Sequence, residues 1–470
     1  MRMMEDFLKY LKGKSIHIVG VTGAEGSNIL RFLIKYNLSN ITAHDFLSSG
    51  SIEKSFRLWH KGIAIQEKNN LYRQFLTDLS KITLCSGKDY LKDIIFADII
   101  FVPQSWRLYQ DINIPLFKAY KNNIPFYSLT RLYLDWAPAK VIAITGTVGK
   151  GSVASILSQF LKMSGRRAYF AGNETWMRQL ADKLDTMKAD DILILEVSHR
   201  QLQDGFSRAP KIAIFTNLYP NHLDEVSWIE YKKLKYSLVK KQKPSDISIL
   251  NFDSPLLKEL GKNLQSKVLF YSEKNITVNT KNIQKIYPKI MNTNSIHFPI
   301  NILAATTVAD ILGIEVKQIE NRLPKISALP ARLEKIGTFS KIDFFDDIKS
   351  TTPWATIAGL KKIGPQVILI CGGRTKGIDY KLFADQIKQC TKYIILLSSQ
   401  LSKSIVNYLP HNIYKITNNL KKAVELAYIR ADDGDKILIS PGAGFFYSDY
   451  IKGKTSLRKL ITSLPPKERF

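Results

Sequence analysis

Short apolar runs, SIHIVG, VIAIT, DDILILE and IAIFTNL, alternate along this chain with stretches such as SNILRFLIKY and VASILSQFLKMSG, whose apolar positions recur at helical spacing. Compact apolar runs suit strands covered on both faces, and a three-to-four repeat suits a helix with one buried side. Their alternation over most of the length predicts an α/β fold built on parallel sheets. Two proline-containing stretches interrupt it: Asp135-Trp136-Ala137-Pro138 before the strand Val141 to Thr145, and Leu323-Pro324 through Leu329-Pro330. Proline stops a helix and biases its predecessor toward extended backbone, so both read as linkers. The expected domains are residues 1–137, 138–327 and 328–470. No internal repeat and no low-complexity segment cuts across them.

Composition changes this picture little. A chain of 470 residues exceeds one ordinary core, and 45% hydrophobic with 23% charged residues is normal for a globular protein. Cys85, Cys371 and Cys390 show no metal spacing and suit a reducing compartment. The opening MRMMEDFLKYLKGK is charged throughout, unlike a signal peptide, and no apolar run approaches the roughly 20 residues that span a bilayer. A cytoplasmic protein without membrane insertion is expected. The formal charge of +27 invites a polyanionic partner, yet the lysines are scattered rather than gathered into a block. With no RNP, KH, zinc-finger or basic-zipper signature, no nucleic-acid partner is expected.

Four places carry candidate chemistry. Gly20, Gly23 and Gly26 in GVTGAEG join a strand to a helix, and a second strand ends at Asp45. Closely spaced glycines let backbone N–H groups meet a phosphate at a helix N-terminus, and an acid about 20 residues on suits a ribose hydroxyl. A tight turn without ligand and a nicotinamide-dinucleotide site are the alternatives. The sharper signal is ITGTVGKGS, again between strand and helix. Gly146, Thr147, Gly149, Gly151 and Ser152 would let N–H groups curl around phosphates, with Lys150 reaching the β- and γ-phosphates. A P-loop usually has its hydroxyl directly after the lysine, where Gly151 stands here. Glu196 closes the strand of DDILILE, where a carboxylate is a metal-ligand candidate or a plain loop residue. His222 and Asp224 follow the next strand, at the end where ligands of open α/β sheets gather.

Together, TGTVGKGS, EVSHRQL and FTNLYPNHLD followed by YKKLK resemble the central ATP-binding domain of the Mur ligases and folyl-polyglutamate synthases. Farther on, LPARLE, FFDDIKSTTPWATIAGL, VILICGGRTKGIDY and ILISPGAGFFYSDY resemble, in order, the C-terminal domain of the glutamate-adding Mur ligases. The resemblance runs from about Val141 to Lys454, with the first domain alike only in layout. It implies a Rossmann-like N-terminal domain, a P-loop mononucleotide-binding central domain and a Rossmann-like C-terminal domain.

The implied activity is ADP-forming ligation of D-glutamate to a UDP-linked muramoyl-alanine precursor through an acyl phosphate, with ATP and Mg²⁺, by a monomer. A relative adding L-glutamate or another amino acid, or a non-catalytic nucleotide-binding relative, is the alternative. By the same resemblance, Gly146, Gly149 and Lys150 hold ATP phosphates, and Asn301 lies near adenine. Arg332 and Asp347 reach the nucleotide, while Glu196, His222 and Ser152 serve Mg²⁺. Lys235 matches a lysine that is carbamylated into a metal ligand. Asn173 matches an asparagine near the reacting groups, and Gly20 to Gly26 with Asp45 bind the UDP moiety. Lys349, Thr351, Lys376, Phe445 and Phe446 fall at the amino-acid pocket. The third domain is expected to close over the second to shield the intermediate. The sequence departs from the family pattern at Gly151, at Asn221 for an acid, at Ala331 for a histidine and at Phe445 for a serine.

Overall fold

The computed structural model describes residues 2–60, 62–173, 178–293, 298–327, 329–444 and 454–465. Its framework is three sheets met in chain order. The first contains β1 (Ile16–Val19), β2 (Ile41–Asp45), β3 (Thr83–Ser86), β4 (Ile99–Phe101) and β5 (Phe126–Tyr127). All pairs are parallel and the order is β3-β2-β1-β4-β5. The second contains β6 (Lys140–Thr145), β7 (Ala168–Gly172), β8 (Ile192–Glu196), β9 (Ile212–Phe215), β10 (Ile247–Asn251) and β11 (Lys267–Tyr271). It too is parallel, ordered β11-β10-β9-β6-β8-β7.

The third sheet holds β12 (Glu334–Phe339), β13 (Ile342–Asp346), β14 (Val367–Cys371), β15 (Tyr393–Leu397), β16 (Tyr414–Thr417) and β17 (Lys436–Ile439). Its order is β12-β13-β17-β14-β15-β16, with β12 antiparallel to β13 and the other pairs parallel. The chain is thus an α/β protein on three sheets, as the alternation of patterns implied.

Burial explains why apolar runs became central strands. Every residue of β1, β8, β9 and β14 is buried, and all but His17 and Glu196 are apolar, as strands covered on both faces require. In β14 the two-residue period divides the side chains between two cores. Ile368 and Ile370 join Phe344 and Ile437 on one face, and Val367 and Leu369 join Leu360 and Phe383 on the other. In the first two sheets the strand before the glycine-rich turn, β1 or β6, lies between strands reached in opposite directions. That is the switch point where an open α/β sheet leaves a crevice at its carboxyl ends.

The chain divides into two compact units. The first comprises Met1–Leu218, Lys232–Thr293 and Pro299–Lys325 and holds the first two sheets. The second holds the third sheet, in Ile326–Phe470, together with Tyr219–Tyr231. Within the first unit the layers of the two sheets are latched by polar contacts. Asn28 Nδ2 donates to Asp182 Oδ1 at 2.9 Å, and its Oδ1 accepts from the Ala181 N–H at 2.7 Å. Asp204, whose side chain is fully buried, accepts from Arg107 Nη1 at 2.6 Å and Trp106 Nε1 at 3.2 Å. Asp135 Oδ1 accepts from the backbone N–H groups of Ser207 and Arg208. Among the described residues no helix is long and apolar enough to cross a membrane.

Candidate active site

The phosphate-type loop of the first unit is shaped by its glycines. Gly146 holds φ +143°, and a Cβ there would lie 2.0 Å from Thr216 Oγ1. Gly149 holds φ +86°, and its Cβ would lie 2.5 Å from Asn301 Oδ1. Any larger residue would collide with the groups that brace the loop. The bracing comes from the end of β9. Thr216 Oγ1 donates to the Val148 carbonyl at 2.6 Å, and Asn217 Nδ2 donates to the same oxygen at 3.0 Å. Asn217 Oδ1 accepts from the Val148 N–H at 2.9 Å, and its carbonyl accepts from the Thr147 N–H at 3.0 Å.

The helix Lys150–Met163 begins at the loop, so Lys150, Gly151 and Ser152 form its first turn. An anion here would meet free N–H groups and the positive helix end. Lys150 Nζ donates to the Thr147 carbonyl at 3.2 Å. Ser152 is buried one position deeper than the usual hydroxyl.

Beside the loop, the structure singles out Lys235 from its neighbours Lys232 and Lys233. It is among the largest fully buried side chains, 1% exposed, on the helix Trp228–Lys240. Its Nζ donates to the Gly146 carbonyl at 2.8 Å and Thr145 Oγ1 at 3.3 Å. Burial first, and the Lys150 charge second, hold its pKa well below the ordinary lysine range, opposed by Glu196. Burial thus shifts Lys235 toward the neutral amine, and only a neutral amine can take up carbon dioxide to form a carbamate. Glu196 is itself buried at the end of β8, whose register with β7 brings in the next candidate. Gly172, at φ +122°, lets that backbone approach so closely that a Cβ would lie 2.2 Å from the Glu196 carbonyl, and the Asn173 N–H donates to the same oxygen at 3.2 Å. The structure therefore brings Gly146 to Ser152, Asn173, Glu196, Lys235 and Asn301 together in the first unit. A buried carboxylate and a lysine amine held toward neutrality fit a hard divalent cation once that amine carries a carbamate.

The first glycine-rich turn lies at the carboxyl end of β1. Gly26 is tightest, since a Cβ there would lie 2.4 Å from the Gly20 carbonyl, and Gly23 is held by its N–H donating to that same oxygen. Asp45 is only 2% exposed and turned inward. Its Oδ2 accepts from Thr22 Oγ1 at 2.6 Å and the Thr22 N–H at 3.2 Å, and its Oδ1 accepts from the Leu47 N–H. The acid expected at a ribose thus shapes the turn in this structure.

In the second unit His222 adopts a left-handed conformation, φ +57°, with Nδ1 2.9 Å from Glu225 Oε1. The next N–H, of Leu223, donates to the Lys376 carbonyl. Lys376 Nζ, largely buried, donates to Thr351 Oγ1 at 3.3 Å. Lys349 is fixed through its N–H to the Ala331 carbonyl. Arg332 stands between two left-handed residues, Ala331 and Leu333, a strained turn. It is held from both sides: Glu334 accepts from the Ala331 N–H and Asp347 Oδ1 from the Leu333 N–H at 2.9 Å. Burial pushes the Asp347 carboxyl up to about 7, against donors that include Ser440 Oγ at 2.8 Å. Phe445 and Phe446 lie outside the described residues.

Sequence reasoning did not single out Thr216 and Asn217, which shape the phosphate loop from a distance. Their only sequence signal was their place in FTNL directly after a strand.

A family model, the Mur ligase middle domain, matches residues 144–312. The chain is 26% identical over 449 residues to UDP-N-acetylmuramoylalanine–D-glutamate ligase of Caldanaerobacter subterraneus subsp. tengcongensis, covering 92% of this chain and 94% of that one. It is 30% identical over 327 residues to the enzyme of the same name from Thermoanaerobacter sp. (strain X514), covering 65% and 71%. Among solved structures, the UDP-N-acetylmuramate-alanine ligase of Thermotoga maritima superposes with a TM-score of 0.58 at 14% identity, covering 96% of this chain and all of that one. That last likeness bears on the fold alone.

Proposed function

This chain belongs to the Mur ligase family, and on that premise we propose that it adds D-glutamate to UDP-N-acetylmuramoyl-L-alanine at the expense of ATP, in the building of peptidoglycan precursors. The observation that carries the reading is the braced loop Gly146–Ser152 beside a buried lysine and a buried glutamate. A binding-only fold has no need of a buried amine next to a phosphate cradle. Relatives named for this reaction span nearly the whole chain.

The segments 1–137, 138–327 and 328–470 divide the work: precursor, ATP and amino acid. The precursor carboxylate attacks the γ-phosphorus, ADP leaves, and an acyl phosphate forms. The glutamate amine then attacks the acyl carbon, and phosphate departs from a tetrahedral intermediate. Negative charge gathers on oxygen in both steps, so the loop N–H groups and Lys150 act electrostatically. Glu196 and carbamylated Lys235, with Ser152 close by in sequence to the loop lysine, would hold Mg²⁺, which screens phosphate charge when bound. The metal role of His222 rests on the resemblance alone, as do the nucleotide roles of Asn301, Arg332 and Asp347.

Lys349, Thr351 and Lys376 suit an amino acid with two carboxylates, because each anion needs a paired cation once water is excluded. Asn173 is poised by its backbone bond to Glu196. Asp45 shapes the turn that receives the UDP pyrophosphate.

The test is ATP-dependent phosphate release with UDP-N-acetylmuramoyl-L-alanine and a panel of D-glutamate, L-glutamate and neutral amino acids. D-glutamate should support saturable turnover. Preference for L-glutamate or a neutral amino acid would overturn the substrate assignment, and no release with any of them would overturn the ligase reading.

A further inference from the structure

One side chain links the first glycine-rich turn to the loop after Glu196 and has had no role so far. Gln104 follows β4, whose carboxyl end adjoins that of β1. The preceding Pro103 borders the first turn, since a Cβ on Gly20 would lie 3.4 Å from Pro103 Cγ. Gln104 is fixed at two points. Its backbone N–H donates to Glu25 Oε2 at 2.9 Å, and Glu25 sits in the first turn of the helix Ala24–Lys35, directly after Gly23. Its side-chain Oε1 accepts from Ser198 Oγ at 3.2 Å.

Ser198 is held in turn. It caps the short helix His199–Leu202, with its N–H donating to Gln201 Oε1 at 2.8 Å, two residues beyond Glu196. The Ser198 hydroxyl has a single hydrogen, and Gln104 Oε1 takes it. This bond orients the amide, so that the carbonyl faces Ser198 and the NH₂ group faces away. Gln104 is half-buried, and its Nε2 has no hydrogen-bond partner among the described residues.

We propose that Gln104 is a precursor-binding residue, whose side-chain NH₂ donates to an anionic or carbonyl oxygen of the UDP-linked substrate between the two turns. This rests on the reading of the first unit as the precursor and ATP site. A pinned amide with free donors is a preorganised contact, because the bonds to Glu25 and Ser198 hold it in place before the substrate arrives. Burial also pushes the Glu25 carboxyl up to about 7, although the Gln104 N–H opposes that shift, so the acid beside the turn repels an incoming phosphate less than a fully ionised one. Gln104 joins the carboxyl end of the first sheet to the loop that follows Glu196, which suits a substrate whose diphosphate and reacting carboxylate fall at opposite ends.

The test is calorimetric titration of the full-length chain with UDP-N-acetylmuramoyl-L-alanine, and separately with ATP. Two variants of nearly unchanged size are compared: Gln104→Leu, which removes the donors, and Gln104→Glu, which replaces them with a negative charge. Precursor affinity should fall about 10-fold or more in each, further in Gln104→Glu, by the usual worth of a hydrogen bond to a charged group. ATP affinity and thermal midpoint should stay unchanged. Undiminished precursor affinity in either folded variant overturns the inference. A parallel fall in ATP affinity and thermal midpoint does so as well, since that is what a purely structural role would give. If the unaltered chain fails to bind the precursor, the functional reading falls and this inference falls with it.

Discussion

Gly146→Ala is the most direct test of the phosphate loop. The added methyl would have to sit 2.0 Å from Thr216 Oγ1 and 3.1 Å from the Asn217 carbonyl, at a backbone angle of +143° that L side chains rarely adopt. Backbone strain of this kind costs about 1–3 kcal/mol, and forcing a methyl into filled space about 1–3 more. Displacing Thr216 also breaks its bond to Val148, worth about 1 kcal/mol. The sum is about 3–7 kcal/mol against the cradle-shaped loop, and its lower end already corresponds to a loss of about 100-fold in ATP affinity. Calorimetric titration with ATP measures this, with the thermal midpoint showing whether the sheet survives. Adding Thr216→Ala removes the nearest colliding atom and should restore part of the affinity. A folded Gly146→Ala chain that binds ATP as the unaltered chain does would refute the account of why the loop has this shape.

Lys150→Ala should abolish ATP-dependent phosphate release while leaving the thermal midpoint nearly unchanged, because the lysine stabilises transferring phosphate rather than the core. Lys235→Met should abolish turnover yet keep or raise the thermal midpoint, since it replaces a buried amine held toward neutrality with an apolar chain of similar length; retained turnover would remove Lys235 from the site. Burial raises the Asp347 pKa from 3.8 to about 7, so the fold binds its proton more tightly than the unfolded chain. The stability it contributes is full below about pH 4 and is lost as pH rises to about 7. Denaturant titrations of Asp347→Asn should therefore show the variant gaining on the unaltered chain between those values, and a constant difference would contradict the burial of that carboxyl.

What was legible in the sequence was what is local. Gly146, Gly149, Lys150 and Ser152 fall within seven residues between a strand and a helix, so backbone geometry alone ties their spacing to a phosphate. Glu196 was legible as a charge ending an apolar run. Lys235 was named only through family resemblance, because periodicity cannot tell it from Lys232 or Lys233, and it took the packing of Trp228–Lys240 against the loop to show which amine is buried. The brace from Thr216 and Asn217 was hidden because common polar residues far along the chain meet Val148 only after the sheet forms. The orientation of Asp45 was hidden for a related reason: spacing gives its distance from the glycines, while Thr22 and Leu47 decide where its oxygens point.

The latch formed by Asn28, Asp204 and Asp135 has a consequence for every turnover. Bringing two reactants into register normally forfeits rotational and translational entropy each time they meet. Here the turn at Gly20 and the loop at Gly146 belong to one block, held by an amide that bonds in both directions to Ala181 and Asp182 and by a buried carboxylate gripping Arg107. Their mutual orientation is thus settled once, when the chain folds, and the register between the two sites need not be found afresh in each cycle.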